Sequence, residues 1–152
     1  MTKQVLISIR GMQLLPDSIE MEEPVEIVTA GEYYFQNGRH FIKYEEMIEG
    51  FDETTQNMIK VKPDGVEVRK KGVANVHMVF EENKKNLTYY QTPYGVLQMG
   101  ISATKVDVSE SEENLDISVD YALEVNDEHV ADCNIMINVK PQGAKDFTLM
   151  TH

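Results

Sequence analysis

The sequence is short of positive charge. It has 14 lysines and arginines against 26 aspartates and glutamates in 152 residues, which gives a formal net charge of −12. Because phosphate groups are bound by clustered cations, this balance predicts that the protein binds neither nucleic acid nor an anionic membrane surface. The excess of one sign is typical of a protein that stays soluble.

Cysteine and long apolar runs are also scarce. Cys133 is the only cysteine, so no internal disulfide forms and a reducing compartment is expected. The apolar run near the N-terminus, Val5–Ile9, is too short for a signal peptide, and no run in the chain reaches the length of a membrane helix. We therefore expect a soluble cytoplasmic protein.

Motifs of catalysis and metal binding are absent as well. The chain has no glycine-rich phosphate loop and no Gly-x-Ser-x-Gly elbow. His40, His77 and His129 are scattered without the spacing of metal ligands, and no base is evident beside Cys133 to activate its thiol. The sequence thus predicts no catalytic residue, no metal site and no bound cofactor.

What the chain does contain is a period-two alternation of apolar and polar residues. The cleanest example runs from Leu115 to Val125, where every odd position is apolar or aromatic. This pattern is typical of a β-strand with one buried face. The odd side chains should be buried, and Asp116, Ser118 and Asp120 should remain accessible to solvent. No amphipathic helix of ten or more residues is evident anywhere in the chain.

Similar alternations recur along the whole chain. They predict strands at Val25–Phe35, His40–Ile48 and Thr55–Lys62, although Met58 and Ile59 are both apolar and leave the inner face of the third strand open. Polar loops are expected at residues 81–86 and 109–114, where charged and amide side chains cluster.

Turn signals separate these strands. Asn37-Gly38 predicts a type I′ hairpin because both residues accept a positive φ, and Pro63-Asp64-Gly65 predicts a second tight turn. Strands with one buried face, and no helix to cover the sheet edges, favour a closed sheet. We predict one all-β domain over residues 1–152, an antiparallel up-and-down β-barrel of about eight to ten strands. A β-sandwich is the alternative.

The segment Tyr89–Ile101 lies at the centre of this pattern. Tyr90, Thr92 and Tyr94 alternate and therefore share one face of a strand, and Pro93-Tyr94-Gly95 marks a bend. Leu97, Met99 and Ile101 then begin a new alternation. The segment predicts a strand, a corner and a second strand, with bulky side chains directed toward one interior.

Several short pieces, in their order and spacing, resemble the uncharacterised YwiB-like family. These pieces are Gly31-Glu32-Tyr33-Tyr34, Tyr44-Glu45-Glu46, Val66-Glu67-Val68-Arg69-Lys70-Lys71-Gly72, Tyr90 with Thr92 and Tyr94-Gly95, and Asp120-Tyr121. The resemblance implies a calycin (lipocalin-like) β-barrel and implies no reaction. The family usually has an arginine two residues before the position of Gly72, where this chain has Lys70, and lysine does not reproduce the bidentate contacts of arginine.

Glu46 and Lys70 are the most informative polar residues. The alternation places each on a face with apolar neighbours, Tyr44 for Glu46 and Val68 for Lys70. A charged group that faces a barrel interior is costly unless it is paired. The functional interpretation is that the two residues bind a polar head group at one end of the barrel or act as an acid/base pair in a pocket. The structural alternative is an ion pair at the barrel end, or a bulge that turns one side chain outward.

Aromatic and methionine side chains extend this candidate site. Tyrosine hydroxyls can line a ligand cavity, although tyrosines more often fill a core, and methionine suits an adaptable pocket as well as ordinary packing. The predicted ligand-binding residues are Tyr44, Glu46, Lys70, Met78, Tyr90, Thr92, Met99 and Tyr121.

Three classes of function follow in order of preference. The first is binding of a small, largely apolar molecule inside the barrel, because barrels of this size are either filled or hold one small ligand. The second is a protein-interaction module that uses the outer barrel surface, and the third is an enzyme with a pocket at the barrel mouth. A continuous internal cavity would favour the first class, and a filled interior with an exposed apolar patch the second. We expect a monomer or a weak homodimer.

Overall fold

The computed structural model describes residues 3–11, 26–47, 52–73, 75–93, 95–112 and 114–142. Within them the chain forms ten β-strands, numbered here in chain order. Their bounds are β1 Lys3–Arg10, β2 Glu26–Gln36, β3 Arg39–Met47, β4 Thr54–Lys62, β5 Gly65–Lys71, β6 Val76–Phe80, β7 Lys84–Thr92, β8 Gly95–Glu110, β9 Leu115–Val125 and β10 Glu128–Pro141. Val25, Ile48 and Tyr94 lie outside the described residues. No helix in the described ranges is long and apolar enough to cross a membrane.

The ten strands form one antiparallel sheet in the order β6-β5-β4-β3-β2-β1-β10-β9-β8-β7. β1 pairs with both β2 and β10 and so joins two meanders. The outermost strands, β6 and β7, meet at a single backbone bridge, where Asn75 and Gln91 exchange two hydrogen bonds of 2.9 Å. Asn86 Nδ2 also donates to the Val79 carbonyl oxygen at 3.3 Å across this seam. The predicted up-and-down barrel is confirmed, and it is nearly closed.

Side chains fill the middle of the barrel. The register of β3 to β6 aligns their inward residues in rows, and one central row consists of Ile42, Ile59, Val68 and Met78. The opposite wall contributes Met99, Ile101, Ile117, Val119 and Ile135, and both sets are fully buried. Ile59, rather than Met58, therefore faces inward on β4. Interdigitation of this kind is the packing of an ordinary protein core.

Two polar groups of residues lie beyond this apolar middle, one at each end of the barrel. We call the end that holds Glu46 and Lys70 the lysine end, and the end that holds His40 and Glu110 the histidine end. The two groups lie at opposite ends because β3 runs along the barrel from His40 at one end to Glu46 at the other.

The strand with the cleanest alternation, β9, packs as its sequence predicts. Its predicted core residues, Leu115, Ile117, Val119, Tyr121 and Leu123, are all buried. Asp116 is exposed, whereas Ser118 and Asp120 are half-buried. Asp120 accepts a hydrogen bond of 2.6 Å from Asn134 on β10, and this cross-strand contact covers part of its side chain.

Two predicted loops are shorter than the sequence indicated. β7 begins at Lys84, which pairs with Ala103, so the predicted loop over residues 81–86 is reduced to a turn with Asn83 at φ 62°. β8 continues to Glu110, which pairs with Leu115, so the first two residues of the loop predicted over residues 109–114 belong to the strand. Pairing with a neighbouring strand satisfies the backbone of these polar segments, and this outweighs their loop-like composition.

A register shift in β8 changes which residues face inward. Between Ala103 and Lys105 the pairing with β9 slips by one residue, which is the mark of a β-bulge. Ala103 faces the interior opposite Tyr121, and beyond the bulge Glu110 lies on the same inner side, opposite Leu115. Without the extra residue, alternation would have turned Glu110 to the outer face.

On the outer face, Glu67 is held by two donors. Lys62 Nζ lies 2.6 Å and His77 Nε2 2.9 Å from its carboxylate oxygens. Burial alone would raise the pKa of Glu67, but the hydrogen bonds from Lys62 and His77 outweigh it and lower the pKa from 4.5 to about 2. Glu67 therefore stays ionised in the folded state at a pH where the unfolded chain is protonated.

We expect this carboxylate to make folding stability pH-dependent in acid. Its contribution is complete above pH 4.5 and is lost as the pH falls from 4.5 toward 2, because the unfolded state then binds the proton more readily. Near the surface the contribution amounts to about 1 kcal/mol. Urea unfolding of the wild type and Glu67→Gln at pH 6 and pH 3 should show a difference that shrinks in acid. A difference that does not vary with pH would contradict the assignment.

Candidate functional site

The lysine end contains a hydrogen-bonded ion pair. Lys70 Nζ lies 3.0 Å from Glu46 Oε1 and 2.7 Å from Asn57 Oδ1. The Lys70 side chain is 11% exposed and the Glu46 side chain 29% exposed, so the pair is largely withdrawn from water. The structure thus brings together the two residues that the sequence placed on inward faces, and it pairs their charges.

Strand register explains why these side chains meet. Tyr44, Asn57 and Lys70 lie in one row across β3, β4 and β5, and Glu46 is paired with Thr55 in the next row toward the barrel end. Side chains directly opposite each other on adjacent strands lie about 5 Å apart, which is within reach of a long lysine.

Asn57 and Thr55 complete the polar cluster, although the sequence did not identify them. Asn57 Nδ2 donates to the Thr55 carbonyl oxygen at 3.2 Å and lies 3.4 Å from Glu46 Oε1. Both residues are buried, at 2% and 1% exposure. The inward position of Ile59 would have identified them. Asn57 and Thr55 precede Ile59 by two and four residues on the same strand and therefore share its face.

The hydroxyl of Thr55 is buried without a hydrogen-bond partner among the described residues. A side chain at Gly72 would meet the Thr55 hydroxyl oxygen at 3.2 Å and its Cα at 2.8 Å, and Gly72 has a φ of 147° that favours glycine. Gly72 therefore packs closely against the backbone of β4 beside the hydroxyl, where a larger residue would not fit. A buried polar atom with no partner costs about 1–3 kcal/mol, so its presence requires an explanation.

Two tyrosines lie against the pair. Tyr44 is buried on β3 and Tyr90 on β7. Burial raises the pKa of both hydroxyls, and the negative charge of Glu46 raises it further. Neither hydroxyl is hydrogen-bonded to another described residue. Both phenols thus stay neutral and keep a donor for a group that enters this end of the barrel.

The remaining predicted site residues are not all at this end. Thr92, whose Oγ1 donates to the Gly95 carbonyl oxygen at 3.0 Å, lies on β7 beyond Tyr90. Met78 and Met99 belong to the packed interior beneath the pair. Tyr121 is separate from the cluster, because it stacks edge to face on Phe80 with ring centroids 5.0 Å apart. The predicted ligand-contacting residues therefore divide into an end cluster and a core.

The chemistry available at the lysine end is recognition by hydrogen bonds. Lys70 uses two of its three N–H donors, and the carboxylate of Glu46 has a second oxygen that makes no hydrogen bond to a described residue. Nowhere in the described ranges do three or more histidine, cysteine, aspartate or glutamate side chains group so as to hold a metal ion.

Comparison with known proteins supports the fold. A family model described as a domain of unknown function, DUF1934, matches residues 7–137. No curated protein matches the chain. The crystal structure of the ywiB protein from Bacillus subtilis is similar, with a TM-score of 0.76, 20% sequence identity and 93% of each chain covered. At this identity the likeness shows the fold alone.

Proposed function

The chain belongs to the DUF1934 family, whose description states no activity, and we propose from its own geometry that it binds a small, largely apolar molecule at the lysine end of its barrel. The observation that carries the proposal is the buried Thr55 hydroxyl without a partner. Thr55 is paired with Glu46 on the neighbouring strand, and Glu46 in turn binds Lys70, which has a spare donor. Unsatisfied polar atoms that converge in an apolar surround are characteristic of a ligand site.

The charges of the cluster define the polar group of the ligand. Because Glu46 already neutralises Lys70, an anion would be repelled by the carboxylate and a cation by the ammonium group. A neutral hydroxyl, carbonyl or amide can accept from Lys70 and Thr55 without breaking the pair. We therefore propose a neutral head group.

The filled middle of the barrel limits how deep such a ligand reaches. Met78 and Met99 are fully buried and fill the barrel below the lysine end. In a lipocalin-like mode of binding, the ligand would therefore lie inside the barrel only above these two side chains. The apolar part of the ligand then contacts Val76 and Leu97 near the rim, and its polar group points toward Lys70.

Prodan, a neutral naphthalene dye with one carbonyl acceptor, provides a test. We expect saturable one-to-one binding with a blue shift of its emission, and at least tenfold weaker binding to the double variant Glu46→Gln, Lys70→Met. The matched control is the exposed pair Lys85–Glu124, whose equivalent double variant should bind the dye as the wild type does. Equal dye affinity for both double variants, or no saturable binding, would refute the proposal.

The filled middle of the barrel and an exposed apolar patch favour the second class of function, and the polar cluster at the lysine end is the observation that keeps the first class ahead of it. Leu87, Tyr89 and Val96 are about 60% exposed together on the outer face of β7 and β8, where Leu87 lies opposite Gly100. Exposed apolar side chains that lie together are typical of an interaction surface. A protein-interaction module that uses this face is therefore the alternative. An enzyme with a pocket at the barrel mouth stays third, since no described group of residues forms a nucleophile and its base.

We propose further that the protein is cytoplasmic and is a monomer or a weak homodimer that binds no nucleic acid. The single cysteine and the net charge of −12 support these points. Sedimentation of the wild type and of Tyr89→Lys at high concentration tests the assembly state. A stable dimer that Tyr89→Lys leaves intact would show that a different surface associates.

A further inference from the structure

The histidine end contains two cavities that share one wall. The larger cavity has a volume of about 480 Å³ and the smaller about 200 Å³. Only His40 and Glu110 line both of them. The contact between these two side chains therefore divides the mouth of the barrel.

This contact spans the barrel rather than two neighbouring strands. His40 is on β3 and Glu110 on β8, and these strands are far apart in the sheet order. His40 Nε2 lies 3.1 Å from Glu110 Oε1, and His40 Nδ1 lies 2.8 Å from the Tyr33 hydroxyl. Because a carboxylate only accepts, the imidazole donates from Nε2 to Glu110, and Nδ1 contacts the Tyr33 hydroxyl.

The two partners differ in how firmly they are held. The His40 side chain is 11% exposed and is fixed by Tyr33, whereas the Glu110 side chain is 59% exposed at the end of β8. Its second carboxylate oxygen makes no hydrogen bond to a described residue. Glu110 thus presents a free negative oxygen to both cavities while its first oxygen holds the histidine.

The larger cavity combines an apolar floor with negative charge. Phe35, Val61, Val106 and Val108 form the apolar part of its lining. Phe35 is 53% exposed there, so its ring is open to a ligand. Three carboxylates, those of Asp64, Glu82 and Glu110, also line the cavity, and no lysine or arginine of the described residues pairs with them. The Lys62 ammonium group, the one lysine or arginine of the lining, is bound to Glu67 on the outer face, and its charge also interacts with that of Asp64.

We infer that this cavity is a second binding site, for an organic cation that has an ammonium group and an apolar body. The ammonium group binds the free oxygen of Glu110 and lies near the Phe35 ring, where cation–π attraction adds to the ion pair. The apolar body contacts Val61, Val106 and Val108. Since Glu110 is exposed, a longer ligand displaces it from His40 and reaches the smaller cavity. This inference is independent of the site at the lysine end.

Three small compounds of similar shape test the charge requirement. Calorimetric titration of the full chain at pH 7 and 0.15 M salt uses phenethylamine, 2-phenylethanol and 3-phenylpropionate as cation, neutral molecule and anion. We expect saturable one-to-one binding of phenethylamine, at least tenfold weaker binding of the alcohol and none of the acid. Equal binding of all three compounds, or no saturable binding of the amine, would overturn the inference.

Variants then locate the site. Glu110→Gln keeps an acceptor for His40 but removes the charge, and we expect it to weaken phenethylamine binding at least fivefold; Phe35→Leu should weaken it as well. Glu128→Gln, which removes an exposed carboxylate at the opposite end of the barrel, is the matched control and should bind as the wild type does. Equal losses in Glu110→Gln and Glu128→Gln would assign the effect to net charge and exclude this cavity. Circular dichroism establishes that each variant is folded.

Discussion

Replacing Gly31 with valine is expected to destabilise the protein by about 3 kcal/mol. A Cβ atom at this position would collide with the Lys43 carbonyl oxygen and lie 2.6 Å from Ile7 Cδ1. The first contact is with backbone of the neighbouring strand β3, which cannot move away without breaking its pairing. Valine otherwise suits a strand, so the loss would arise from the close approach and not from β-propensity.

Ala30 provides the matched control, since it is the adjacent residue of β2 and is exposed on the outer face. Ala30→Val should change the free energy of unfolding by no more than about 0.5 kcal/mol. Urea unfolding of both variants measures the difference. A similarly small change in the free energy of unfolding at both positions would show that β2 does not pack closely against Ile7 of β1 and Lys43 of β3 at Gly31.

The second large effect is expected at the lysine end. Lys70→Met leaves the Glu46 carboxylate and the Asn57 oxygen without their donor, and we expect a loss of about 2 kcal/mol. This is below the value for a fully buried pair because Glu46 keeps 29% of its side-chain surface exposed. Glu46→Gln should cost about 1 kcal/mol, and the double variant less than the sum of the two.

The informative quantity is the coupling energy of the double-mutant cycle, which we expect to be about 1.5 kcal/mol. The Lys85–Glu124 pair, at 2.7 Å but with Lys85 45% exposed, is the reference and should give a much smaller coupling energy, because solvent screens an exposed pair. Additive effects at Glu46 and Lys70 would mean that the pair in the barrel contributes no more than an ordinary surface contact.

Much of the fold can be predicted from sequence because alternation and turn chemistry are local signals. β9 alternates without interruption, and the Asn37-Gly38 hairpin has Asn37 at φ 53° and Gly38 at φ 76°, as a type I′ turn needs. The same parity placed Glu46 and Lys70 inside the barrel. Each of these predictions depends only on residues that are neighbours in sequence or on one strand.

The parts that escaped prediction depend on pairing between strands. Glu110 faces inward only because β8 gains one residue near Thr104, and no local feature of the sequence marks that bulge. Its contact with His40 also requires knowing that β3 and β8 face each other across the barrel. Asn57 was missed for a simpler reason, since adjacent apolar residues at Met58 and Ile59 made either face of β4 acceptable.

The pairing of β1 with β10 has a consequence for the order of folding. Most strands pair with the next strand in sequence, so their hairpins can form while the ribosome is still adding residues. β1 is different, since Val5 is opposite Pro141 and one edge of β1 has no partner until β10 has been synthesised. The nascent chain therefore exposes an unpaired, apolar strand edge for most of its synthesis. Emergence of β10 from the exit tunnel is the step that removes this aggregation-prone edge.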